Sequence, residues 1–240
     1  MPLSHRKYRA ILAVLFALWW IVLAIQPKHR GDWLLENILA LAAVTFLVVF
    51  NRWLMFSRLS YTLIFAFLCL HILGAHYTYS EVPYDQWWQS LTGQTFNDLV
   101  GWHRNNFDRV VHFSYGLLLA YPVREVFLRV ANVRGFWGYF LPLDLTMSTS
   151  MLYELIEWGV SVTIGGELAQ DYLATQGDIW DSQKDMALAS LGALITMLIT
   201  AFINWRLQRD FAQEWAESFR VKHKLPLGEN AIARMLRPEK

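Results

Sequence analysis

The 240-residue chain has a single cysteine, Cys69, and it lies inside an apolar block. That excludes an intrachain disulfide and any cysteine-based metal motif. The chain also lacks an excess of charge of either sign. A net charge of +1 gives nucleic-acid binding no bulk electrostatic support. No internal repeat at solenoid spacing and no low-complexity tract is present, so repeat arrays are excluded. The strict apolar–polar alternation of a membrane β-strand is missing as well, which argues against a barrel.

What is present is apolar and aromatic. Apolar residues make up 55%, against roughly 45–50% in an average soluble domain. Twelve tryptophans are present and mean hydropathy is +0.26. The arrangement matters more than the amount: apolar residues fall in long blocks and charges in short bursts between them. A spanning helix needs about 20 mostly apolar residues. Six blocks approach that length: Ala10–Gln26, Trp33–Phe50, Leu59–Tyr79, Asp108–Phe127, Leu143–Ile164 and Lys184–Trp205. The first, behind a basic flank, also has the outline of a signal peptide. No small-x-small cleavage site follows Ala24, so a retained span is the reading adopted. The expected fold class is therefore all-α, a polytopic membrane bundle of about six transmembrane helices.

Orientation follows from Lys and Arg in the loops. With the N-terminus inside, 16 basic residues fall on the inner side and 5 on the outer. Both ends are thus expected in the cytoplasm, with residues 1–205 as the transmembrane domain and 206–240 as a cytoplasmic amphipathic, basic tail. Trp33, Trp53, Trp137 and Trp205 sit near block ends, as an interfacial belt requires. The outer loop Ser80–Phe107 carries Trp87, Trp88 and Trp102. It reads as a surface helix that either packs as a cap or acts as a lid. A second outer segment, Gly165–Gln183, is acidic. The tail alternates charges with Phe211, Trp215, Phe219 and Val221, the pattern of a helix on the membrane face.

Ionisable residues inside spans are costly and point to function. His71 and His76 lie in the outer half of the third span, about 140° apart around the helix, so at most one need face the bundle. Asp108 and His112 open the fourth span and share a face, which Tyr115 extends. Asp108 either caps this helix or orients His112 as a ligand or acid–base group. Glu154 and Glu157 share a face of the fifth span. Two carboxylates so close require a held proton, a cation between them, or a partner such as Arg109 or a tyrosine. Asp178, Asp181 and Asp185 surround the start of the sixth span, with Lys184 placed to pair with Asp181 or Asp185. In the inside-first topology His76, His112, Glu157 and Asp185 fall at similar depths near the outer boundary. His76, His112, Glu157, Asp181 and Asp185 are candidate metal ligands, and His112, Asp108, Glu154 and Glu157 candidate catalytic groups. Imidazole with carboxylate suits zinc, manganese or iron, and carboxylates alone suit magnesium or calcium. A proton or ion relay uses the same residues.

The runs FDRVVHF at Phe107–Phe113, YELIEW at Tyr153–Trp158 and QGDIWDSQKDM at Gln176–Met186 resemble the YjdF family of bacterial inner-membrane proteins. The resemblance implies a multi-pass protein of the bacterial inner membrane and no particular chemistry. More distantly, the order of motifs is similar to that of the VanZ-like proteins associated with glycopeptide resistance. Those carry Asp-x-x-x-His at a helix start, a later Glu in a span, and an Asp with Asn four and Gly seven residues on. Asp108 and His112 match the pair, Glu154 or Glu157 the Glu, and Asp185 and Gly192 the last motif, while Ala189 stands at the Asn position. That likeness implies a role near envelope lipids or cell-wall precursors. Three functions remain open: a metal-dependent hydrolase or transferase acting on a lipid-borne substrate, a non-catalytic assembly or resistance module, and a small ion-coupled transporter. For the last, polar residues in the inner half are sparse and repeated halves are absent. Membrane lipids are the expected partners.

Overall fold

A computed structural model describes residues 3–164, 175–222 and 227–236. Ten helices and no strand occur among them. They are α1 (His5–Ala24), α2 (Arg30–Phe50), α3 (Arg58–His76), α4 (Tyr84–Thr92), α5 (Phe96–Val100), α6 (Phe107–Val130), α7 (Trp137–Ile164), α8 (Asp181–Leu207), α9 (Phe211–Ser218) and α10 (Leu227–Met235). The six long helices coincide with the six apolar blocks. By length and composition α1, α2, α3 and α8 can each cross a bilayer, with mean hydropathy between 1.7 and 2.2. Helices α6 and α7 have the length but carry the ionisable residues that lower their apolarity.

Local signals set the ends. Ser4, Ser57 and Thr95 each accept a hydrogen bond from a first-turn N–H of α1, α3 and α5, satisfying one of the orphan donors of a helix start. Helix α3 stops at His76 because Thr78 and Tyr79 take left-handed φ of +53° and +55°, which no helix continues through. Pro142 lies inside α7, so that helix starts at Trp137, a turn and a half earlier than the apolar block.

Packing is densest between α6 and α8. A Cβ built on Gly116 would stand 1.9 Å from the Ala189 carbonyl oxygen, and one on Gly192 2.2 Å from that of Phe113. Small residues let the two backbones touch, which is how helices associate where lipid supplies no hydrophobic drive. Thr196 Oγ1 adds a 2.5 Å bond to the Leu117 carbonyl. This contact puts Asp108 and His112 at the outer end of α6 beside Asp181 and Asp185 of α8. Around the pair, α3 and α7 pack on α6, and α1 and α2 on α3. Helix α1 is tied in by Trp19 Nε1 to the Cys69 carbonyl at 3.0 Å and Trp20 Nε1 to Asn37 Oδ1 at 2.6 Å.

The distribution of polarity is inverted. Val48 is 70% exposed and Phe202 59%, whereas Asp32 and Asp185 are 3% and 4% exposed. An apolar surface around a polar interior is stable only where the surrounding solvent is hydrocarbon. The chain is a polytopic helical membrane protein.

The outer loop forms two short helices, α4 and α5. The Tyr84 hydroxyl bonds Asn97 Oδ1 at 2.7 Å, and the Asn97 N–H bonds Asp85 Oδ1 at 2.9 Å. The start of the tail folds back as α9 onto the inner end of α7. The Gly135 N–H bonds Glu214 Oε1 at 3.0 Å, Trp137 Nε1 bonds the Ser218 carbonyl at 2.9 Å, and Trp215 packs on Tyr139 and Phe136. The first helix of the tail, α9, thus packs on the bundle. Of the acidic outer segment, residues 165–174 lie outside the described residues.

Candidate functional site

A cavity of about 350 Å³ opens within the bundle, lined from α2, α3, α6, α7 and α8. The polar groups in and around it lie in two layers with different electrostatics.

The outer layer is balanced. Arg104 binds Asp108 and, at 2.7 Å, Asp181; Arg109 binds Asp178 at 2.5 Å and Asp181 at 3.2 Å; Lys184 binds Asp178 at 2.5 Å. Three carboxylates thus meet three cations. Asp178 also accepts the Trp180 N–H at 3.1 Å. It lies outside the helix, and the Lys184 bond, then the Trp180 N–H and Arg109, hold its carboxyl well below the usual carboxylate range. Two expectations change here. Lys184 pairs with Asp178 rather than with Asp181 or Asp185, because it points back over the turn that precedes α8. Arg109 goes to Asp178 and Asp181 rather than to the α7 glutamates, because it projects outward from the first turn of α6.

The deeper layer has no such balance. His112 Nε2 stands 3.6 Å from Glu154 Oε1. Ligand atoms of His112, Glu154 and Asp185 all lie within 4.8 Å of one another, as do those of Asp108, Asp181 and Asp185. Glu154 Oε1 and Asp185 Oδ1 are buried with no hydrogen-bond partner. Glu157 lines the same cavity. Tyr153 donates to Glu36 Oε2 at 3.2 Å and also hydrogen-bonds Glu157. His112 is not oriented by Asp108, since that carboxylate is taken by Arg104 and by the Arg109 N–H at 2.7 Å. Its neighbours are Glu154 and the Tyr153 ring, whose centroid is 5.9 Å away.

The two histidines of α3 separate as their angle requires. His71 lines the cavity. Its Nε2 donates to the Glu36 carbonyl at 3.1 Å and its Nδ1 accepts from the Tyr79 hydroxyl at 2.5 Å. Tyr79 reaches it by folding over Gly74, where a Cβ would stand 2.5 Å from the tyrosine ring. His76 instead turns to α1 and bonds the Leu23 carbonyl at 2.8 Å. It is therefore not brought to the cluster; its helix face packs against a neighbour, not the cavity. Glu154, Glu157, His112, Asp108, Asp181 and Asp185 are all brought together.

Sequence reasoning missed Asp32 and Glu36, which line the cavity from α2. The signal was available: two acids four residues apart near the outer end of a span, the spacing that marked Asp108 and His112. It also missed Arg104, which lies in the preceding loop.

Residues 8–206 match the family described as "Predicted membrane protein (DUF2238)". The chain belongs to that family. It is also similar to the inner membrane protein YjdF of Escherichia coli (strain K12), with 35% identity over 200 residues that cover 83% of this chain and 91% of the relative. Fold and family agree on an integral membrane protein, and the relative is a protein of the bacterial inner membrane. No solved structure matches the chain.

Proposed function

We propose that this protein is a membrane-embedded, metal-dependent hydrolase or transferase acting on a lipid-borne substrate, with His112, Glu154 and Asp185 as metal ligands. One observation carries the reading: a buried Glu154 oxygen without a hydrogen-bond partner stands 3.6 Å from His112 Nε2, and an oxygen of Asp185, itself with a buried unpartnered Oδ1, lies within 4.8 Å of both. Donors about 2.1 Å from a tetrahedral ion are about 3.4 Å apart, close to the 3.6 Å between His112 Nε2 and Glu154 Oε1. One imidazole with two carboxylates suits zinc, manganese or iron. Uncompensated carboxylates at this depth cost several kcal/mol each, roughly, and a divalent cation removes that cost.

Three protein ligands leave a coordination position for water, whose pKa a metal lowers to about 7. A metal held by His112, Glu154 and Asp185 would supply an activated water for attack on an ester carbon or phosphorus. Glu157, which lines the same cavity, would take up that water's proton and return it to the leaving oxygen as the bond to it breaks. In the second triad, Asp108 and Asp181 have a structural role, and Asp185 alone is shared with the first triad. Arg104 and Arg109 neutralise Asp108 and Asp181, so these two close the outer end of the bundle.

The test is turnover of lipid esters and phosphoesters by the full chain in vesicles. Chelation is expected to stop the reaction and added metal to restore it, with Glu157→Gln slowing it by about 100-fold. A rate indifferent to chelator and to His112→Ala rejects the proposal.

A further inference from the structure

Three residues that line the cavity also face the surroundings of the bundle: Leu39 of α2 and Leu152 and Ile156 of α7, which are 43%, 54% and 51% exposed. In a membrane bundle that exposure is to lipid. Leu39 lies about 13 Å along α2 from its outer end, and Ile156 about 12 Å along α7 from its own, at 1.5 Å per residue. Both levels are inside the hydrocarbon layer rather than at its edge. Helices α2 and α7 are not among the pairs that pack extensively; α2 rests on α3, and α7 on α6 and α8. A Tyr153–Glu36 hydrogen bond spans the gap between α2 and α7.

The lining runs from these outward residues to the buried Phe67 and Val111, each 6% exposed. It also carries His71, His112 and Glu157. The cavity therefore joins apolar residues that face the bilayer to buried polar ones beneath the balanced outer layer. At about 350 Å³ it falls in the roughly 300–1,000 Å³ range of small-molecule sites.

We infer that the seam between α2 and α7 is a lateral portal through which the hydrocarbon chain of a membrane lipid enters the cavity from the bilayer. This deepens the proposed function, on which it rests for the fate of the head group. The chemistry fits one occupant. A hydrocarbon chain leaves the bilayer at almost no cost, because lipid tails are as apolar as leucine side chains. A water-soluble substrate arriving from the outer side meets the ion pairs of Arg104, Arg109 and Lys184 instead. Because apolar transfer contributes so little here, occupancy depends on access, and exchange is fast. A covalent probe is therefore the appropriate readout.

The full chain is reconstituted in vesicles of phosphatidylethanolamine and phosphatidylglycerol doped with a phosphatidylethanolamine carrying a mid-chain diazirine. After irradiation, labelled residues are mapped by mass spectrometry. The portal predicts label on the buried Phe67 and Val111, besides the outward Val22 and Leu198. Leu39→Trp with Ile156→Trp should reduce the interior label by about tenfold and leave the outward label unchanged; Leu152→Trp serves as a second blocking variant. Label confined to outward residues in the wild type, or interior label undiminished in both blocking variants, overturns the portal. Bound metal measured on the same samples separates the two ideas. Interior label without metal supports the portal and counts against the metal centre. Metal without interior label does the reverse.

Discussion

At the residue scale, the roles of these side chains differ by which of their polar atoms already have partners. His76 has one in the Leu23 carbonyl, so His76→Leu should cost about 1 kcal/mol of stability and leave bound metal unchanged. Asp185 Oδ1 has none, so Asp185→Asn should remove metal while leaving the fold intact, as read by circular dichroism and metal analysis. Asp178 gives a pH prediction. Its carboxyl is depressed, so its contribution to stability is present above its unfolded value of about 3.9 and disappears only as pH falls below that. The ion pairs of Asp178 with Lys184 and Arg109 should therefore hold at pH 5, and Asp178→Asn should lower thermal stability at pH 7 but not in strong acid. A melting-temperature series across pH checks this.

At the element scale, the α6–α8 contact places the site. Gly192 stands where a Cβ would meet the Phe113 carbonyl oxygen at 2.2 Å, and backbone cannot yield as a side-chain tip can. Gly192→Val should destabilise by about 3 kcal/mol or more and abolish the monodisperse peak in detergent chromatography. The helices themselves were legible because a spanning block needs only composition and length. Their ends were less so. Hydropathy ignores the basic first turn of α1 and discounts the turn before Pro142, yet both are helical. The site was half legible. Spacing along one helix identified Asp108 with His112 and Glu154 with Glu157, because the i,i+3 and i,i+4 rules are local. Partner choice was not legible, because it depends on which helices touch. Arg104 claims Asp108 from a loop, and His112 meets Glu154 across two helices.

At the scale of the whole molecule, inverted polarity and the excess of basic residues on one side define the frame. A fluorescent protein fused after residue 222 should fold and fluoresce in the cytoplasm, and an alkaline phosphatase inserted in the outer loop at Gly93 should be active. The reverse pattern would overturn the inside-first topology and place the cavity on the other side of the membrane. Under the proposed function, the outer closure by Arg104, Arg109 and Lys184 and the seam at Leu39 and Ile156 give one working direction: substrate from the bilayer, with its polar end held at His112, Glu154 and Asp185.

The most direct measurement is bound metal per chain, by mass spectrometry, on protein purified in detergent beside a Glu154→Gln/Asp185→Asn variant of equal helical content. The account predicts about one divalent ion per chain in the wild type and none in the variant. Absence of metal from both, after reloading with zinc, manganese and iron, would contradict it and leave the buried carboxylates to be balanced by protons alone.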